Sequence, residues 1–144
     1  RLMDFTAKQL RDMNAWDKFP RFMIKTTASS LAWDEWANKN GVKVINVPVG
    51  FKEIANIMKK VEAMLKKSPD KSVVITDVMG NKIDLGIQPR LLFAGEESGG
   101  MIMGPPVLIE SESGFQAVAM REKSATEAII VASALVGKLE KKDL

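Results

Sequence analysis

The sequence predicts an α/β domain, with helices layered over a largely parallel sheet that carries a β-hairpin insertion or two. Three observations predict it. Short runs of β-prone apolar residues alternate along the chain with segments whose apolar residues recur at helical spacing, the pattern of strands joined by crossover helices. The longest helical segment, from about Phe51 to Lys67, puts Phe51, Ile54, Met58, Val61 and Leu65 on one stripe and leaves Lys52, Lys59, Glu62 and Lys66 off it. The stretch "SVVITDVMGNKIDLGI" alternates about Gly80-Asn81, which reads as a β-hairpin.

Taken in order, Thr6 is placed to cap a first helix over "AKQLRDMNAWDKF", with Leu10, Met13 and Trp16 at helical spacing and Pro20 as its stop. "RFMIKTT" is a short β-prone run. "SSLAWDEWANKNG" then reads as a helix with Ser29 or Ser30 as cap, Asp34 and Glu35 in the early turns and Asn40-Gly41 as the stop. "VKVINVPVG" is the next strand, and Gly50 turns it into the long helix that Pro69-Asp70 ends. "RLLFAG" is a further apolar strand. "MIMGPPVLIESESGFQAVAM" reads as two short strands broken at Pro105-Pro106 and Ser113-Gly114. The last helix opens at "SATE", a capping box of Ser124 and Glu127, with Ala128, Ala132, Leu135 and Leu139 as its core stripe.

Composition narrows the function classes. A chain of 144 residues is enough for one domain with a real core, so residues 1–144 are expected to form a single domain. Apolar residues at 46% and charged residues at 27% are ordinary globular usage. The 21 basic and 18 acidic residues are mixed along the chain and leave a net charge of only +3, too even for a nucleic-acid footprint. Lys59-Lys60 and Lys66-Lys67 read as the solvated face of a helix. With no cysteine, thiol catalysis, disulfides and Cys-based zinc sites are excluded, and with no histidine the commonest general base and metal ligand are missing. No apolar run approaches the roughly 20 residues that span a bilayer, and the start lacks the apolar stretch of a signal peptide, so no membrane partner and a cytoplasmic location are expected. The chain begins without methionine and close to a helix, which reads as a piece of something longer.

Three polar or glycine-bearing stretches, "IKTTASS", "PVGFKE" and "AGEESGG", fall at the carboxyl ends of strands, where open α/β sheets bind ligands. Glycines at 95, 99 and 100 let a ligand approach the backbone closely. In an extended loop Glu96 and Ser98, two apart, project to the same side. A carboxylate that accepts and a hydroxyl that donates and accepts complement adjacent sugar hydroxyls. A phosphate would be repelled by Glu96 and Glu97, and a phosphate loop would need a lysine and a Ser or Thr after its last glycine. On spacing alone the stretch reads equally as a plain β-turn and as a site. Trp16, Trp33, Trp36, Met101 and Met103 divide between two readings, core or a surface toward a neighbouring domain.

"GVKVINVPVGFKEI", then "LLFAGEESGG", then "REK" just before a helix, resemble the third domain of the α-D-phosphohexomutases, the phosphoglucomutase and phosphomannomutase family, over about Phe22 to Leu139. The resemblance implies a three-layer α/β/α sandwich with a mostly parallel mixed sheet and β-hairpin insertions at 70–90 and 101–120. It implies a four-domain parent that moves phosphate between the 1 and 6 positions of a hexose through a phosphoserine and magnesium. In that family this domain recognises the sugar. The loop's Glu and Ser carry over to Glu96 and Ser98, flanked by Gly95 and Gly99, and the lysine near the phosphate end of the substrate to Lys123. A further active-site lysine of some members carries over to Lys25. "GEESGG" leans toward members that prefer glucose, so a glucose phosphate is the favoured partner, beside the neighbouring domains of the same chain.

The chain departs from that family in several places. Ser124-Ala125 stand where it has Asp-Gly. "TTASS" at 26–30 lacks the continuation of a phosphoserine loop, and the three-aspartate segment that holds magnesium is missing, as is the terminal phosphate-binding loop. Asp77 and Asp84 flank the hairpin without a partner cluster and are expected at the surface. The expectation is therefore a sugar-recognition domain with no catalytic residue, metal ligand or cofactor of its own, inactive alone. The other readings are a stand-alone hexose-phosphate-binding module without catalysis, or a domain whose loops serve only inter-domain packing.

Overall fold

The computed structural model describes residues 1–120 and 125–141. Strands β1 (Arg21–Thr26), β2 (Lys43–Val47), β5 (Arg90–Gly95) and β6 (Met101–Met103) form one sheet in the order β2-β1-β5-β6. The first three are parallel and β6 runs antiparallel to β5. The strands β3 (Ser72–Thr76) and β4 (Lys82–Ile87) pair as a separate hairpin, as do β7 (Ile109–Glu110) and β8 (Gln116–Ala117). The hairpins at 70–90 and 101–120 thus decorate a mostly parallel mixed sheet, as expected.

Helices cover both faces. On one face α3 (Phe51–Lys67) buries Ile54, Ile57, Met58, Val61 and Leu65 against Phe22, Ile24, Ile45, Leu91 and Ala94. Each such side chain, fully enclosed, contributes about 1.5–3 kcal/mol. On the other, α1 (Leu2–Asp12) and α2 (Ala32–Lys39) bring Met3, Leu10 and Ala37 against Met23, Leu92 and Phe93, joined by Val131 of α4 (Ala125–Glu140). Trp16, Trp33, Trp36 and Met101 are half-buried against this second cluster and Met103 is buried in it.

The sheet is not regular. Phe22 pairs with Leu91 but Met23 pairs with Phe93, so Leu92 is an extra residue in β5. This bulge puts both Leu92 and Phe93 in the cluster on the α1/α2 face and returns Ala94 to the α3 face. Gly104 closes against the same point: its N–H donates to the Leu92 carbonyl at 3.0 Å. A Cβ there would lie 1.7 Å from the Leu91 oxygen.

Several local expectations are corrected. Thr6 is inside α1, where its hydroxyl donates to the Leu2 carbonyl at 3.0 Å, so the helix begins earlier. It also ends earlier, at Asp12, because Asn14 takes φ 51 and closes a Schellman motif: Ala15 N–H to Leu10 O at 2.8 Å and Asn14 N–H to Arg11 O at 2.9 Å. Neither serine caps α2 in the expected way, its N-cap position being Leu31. Ser30 accepts from the Ala32 N–H at 3.2 Å and Ser29 turns inward to Thr26.

Glu62, placed off the stripe of α3, is buried and accepts from the Val118 N–H at 3.1 Å, anchoring the 101–120 insertion. Asp77 is buried too, because it accepts from the N–H groups of Met79 and Asn81, both at 2.9 Å, and so holds the hairpin turn. Asp84 is exposed, as expected. In α4, Ala128, Ala132 and Leu135 are half-buried, while Leu139 is exposed. The proposed Ser124 cap lies outside the described residues.

Candidate functional site at the carboxyl edge of the sheet

The parallel strands β2, β1 and β5 end side by side, so the three stretches singled out in the sequence meet at one edge. Lys25 is registered opposite Gly95 on one side and Asn46 on the other, and Thr26 opposite Val47. The chain leaving β1 is tied to its neighbour by Thr27 N–H donating to the Val47 carbonyl at 2.9 Å. The β3–β4 hairpin joins the same edge through Val78 N–H to Asn46 O at 3.0 Å. A cavity of about 470 Å³ opens there, lined by Asn46, Pro48, Glu53, Asn56 and Asp77 among others.

"GEESGG" is the connection of the β5–β6 hairpin, with Gly95 paired to Met101 across it. It is a hairpin turn, a geometry that suits either of the two readings of the spacing. Glu96 N–H donates to Gly100 O at 3.0 Å and Gly99 N–H to Glu96 O at 3.1 Å, with Gly99 at φ +90. The loop is tight, and the extended arrangement expected of Glu96 and Ser98 is not what forms. Glu96 is buried, at 7% exposure, at the strand's end, while Ser98 is exposed at the turn. A five-residue hairpin connection curls its backbone, so residues two apart no longer share a side.

Glu97 is what holds this loop in place. Its carboxylate accepts from the Thr26 hydroxyl at 2.5 Å, and Thr26 is in turn 2.9 Å from the Ser29 hydroxyl. The β5–β6 loop is thereby latched to the end of β1. In sequence terms Glu97 counted only as a charge hostile to phosphate. The partner that gives it a role lies 71 positions away, and the only available signal was a carboxylate inside a glycine ring facing a Thr-rich strand end.

Gly95 has a packing reason besides any ligand. A Cβ there would come within 2.8 Å of Phe93 and 3.2 Å of Trp33, two rings that meet edge to face with centroids 5.2 Å apart. Lys25, on the same face of the sheet, is 2% exposed and pairs with Asp34 of α2. Its ammonium also donates to the carbonyls of Ser29 and Ser30 at 3.3 and 3.2 Å. Lys25 thus organises the β1–α2 turn from beneath the edge, and Asp34 is a second residue whose part sequence reading missed. Lys123 lies outside the described residues.

The fit of the described residues to magnesium is poor. No group of three carboxylates comes together among them. Asp77 is taken by the hairpin turn, and Asp84 accepts from the Ser72 hydroxyl and from the Gly86 N–H at 2.8 Å. What the edge can offer is recognition: a carboxylate at the end of a strand, an exposed hydroxyl, and glycine backbone a ligand can approach. None of the described helices is long and apolar enough to cross a membrane.

A family model described as phosphoglucomutase/phosphomannomutase, alpha/beta/alpha domain III, matches residues 2–121. The matched stretch takes in α1, ahead of the segments that carried the resemblance, and stops short of Lys123. Neither a curated protein nor a solved structure matches the chain.

Proposed function

We propose that this chain, which belongs to the phosphoglucomutase/phosphomannomutase alpha/beta/alpha domain III family, is the sugar-recognition domain of a four-domain phosphohexomutase. It takes a hexose phosphate, a glucose phosphate by preference, at the Glu96–Gly100 loop. The observation that carries this reading is the Thr26–Glu97 latch, which fixes the loop at the edge where three parallel strands end. A loop that served only as a turn would have no need of it. Glu96 accepts from a ring hydroxyl, Ser98 exchanges a hydrogen bond with a second, and Gly95 and Gly99 leave room for the ring. The family resemblance assigns the phosphate end of the substrate to Lys123.

The reaction moves phosphate between the 1 and 6 positions of the hexose. The phosphoserine and the magnesium that the reaction uses belong to neighbouring domains, so residues 1–144 bind and orient substrate without transforming it. Steady-state kinetics of the full-length mutase test this. Glu96→Ala is expected to lower kcat/KM by about 10–100-fold, the loss of one hydrogen bond to a charged group at about 1.5–3 kcal/mol. Ser98→Ala should lower it by about 10-fold. Unchanged kcat/KM in both, with the fold intact, would sink the reading.

A further inference from the structure

The opposite, amino edge of the sheet has its own unexplained chemistry. Arg21 opens β1 and Arg90 opens β5, in register with each other, and both are buried, at 4% and 7% exposure. Arg21 donates from Nη2 to the Ala15 carbonyl at 2.7 Å. Arg90 donates from Nη1 to the carbonyls of Gln88 and Pro89, at 2.7 and 3.3 Å, and lies 4.0 Å over the Phe19 ring. All these acceptors are neutral. Arg21 Nε, Arg21 Nη1 and Arg90 Nε are buried with no hydrogen-bond partner among the described residues.

Two adjacent guanidinium charges held out of water without a counter-charge among the described residues are strongly unfavourable, and arginine does not escape by losing its proton. Burial pulls the pKa of Arg21 down, and burial followed by the charge of Arg21 does the same to Arg90. Arg21 borders a cavity of about 300 Å³ together with Trp16, Asp17, Phe19 and Asn40. Arg11 stands near it, 4.4 Å over the Trp16 ring and donating to Asn40 Oδ1 at 2.7 Å. Asp17 is the one carboxylate lining the cavity, and it makes no ion pair with either arginine among the described residues.

We propose that this pocket is an oxyanion site that takes inorganic phosphate, whose oxygens accept from the unpartnered N–H groups of Arg21, which lines it, and whose double charge offsets both Arg21 and the adjacent Arg90, which does not line it. It lies at the far end of the strands from the Glu96–Gly100 loop and stands independently of the reading of that loop. A monovalent carboxylate would neutralise only one of the two charges.

Thermal unfolding of the 144-residue chain tests the proposal, in phosphate and in chloride at matched ionic strength. Phosphate is expected to raise Tm with saturation as its concentration passes Kd. Arg21→Met should raise Tm in chloride, by removing a buried unpaired charge, and weaken phosphate binding at least about tenfold. Asp17→Asn should tighten it. The proposal is overturned if the unaltered chain shows no rise beyond chloride, or if Arg21→Met keeps the rise. It is equally overturned if only Asp17→Asn responds to phosphate, for then Asp17 is the counter-ion. Should Arg21→Met fail to fold, the Arg21 Nε–H resonance of the unaltered chain decides: it shifts on phosphate titration, and constancy overturns the site.

Discussion

Gly95, Gly99 and Lys25 separate the demands that packing and recognition make on single residues. Gly95→Ala forces a methyl into the Phe93–Trp33 contact and is expected to lower stability by about 1–3 kcal/mol in urea unfolding. Gly99→Ala meets open space but keeps φ +90, so it should be destabilising by about 1 kcal/mol through backbone strain alone. Lys25→Met leaves Asp34 and two carbonyls without their donor and should lower stability by about 2–3 kcal/mol. A lysine whose part is confined to substrate contact would instead leave stability unchanged and reduce only turnover. Glu96, Ser98 and the glycines stand out as candidates in the sequence because a polar, glycine-flanked motif after an apolar strand is a local pattern. Glu97 and Asp34 were not, since what defines them is a partner brought near only by the fold.

Among the elements, legibility followed the reach of the determining signal. The stripe of α3 and the hairpin at Gly80-Asn81 are periodic or dipeptide features, and both formed, though the buried face of α3 also takes in Ile57 and Glu62. The bounds of α1 were misread because a threonine can bond back to the carbonyl four residues earlier and an asparagine can take the left-handed conformation that ends a helix. The β5 bulge and the approach of Gly104 left no local mark at all. Gly104→Ala is expected to abolish folding or lower stability by more than about 3 kcal/mol, because its Cβ would overlap the Leu91 carbonyl. Circular dichroism with urea unfolding checks this. In the β3–β4 hairpin, hydrogen bonds from Ser72 and then Gly86 hold the Asp84 carboxyl below its ordinary pKa. Its contribution is complete above the ordinary carboxylate range and is lost as pH falls through the lowered value. Asp84→Ala should therefore narrow the gap to the unaltered chain in acid, a convergence visible in Tm measured against pH.

At the scale of the molecule, the two proposals put a site at each end of the sheet's strands. The carboxyl edge gathers the β1–α2 turn, the β2–α3 turn and the latched β5–β6 loop. The amino edge pairs Arg21 with Arg90. The sequence pointed to the first as a candidate because strand ends with glycine and polar residues stand out along the chain. It hid the second, for two isolated arginines in apolar strands acquire meaning only when the register sets them side by side. The central claim is that Glu96 and Ser98 grip the hydroxyls of a hexose phosphate in the full-length mutase. A double-mutant cycle between protein and substrate tests it most directly: kcat/KM for glucose 1-phosphate and for analogues each lacking one ring hydroxyl, measured with the unaltered enzyme and with Glu96→Ala. If Glu96 accepts from a hydroxyl, removing that hydroxyl and removing the carboxylate will be strongly non-additive for one analogue, by about tenfold or more. Additive losses for every analogue would contradict the account.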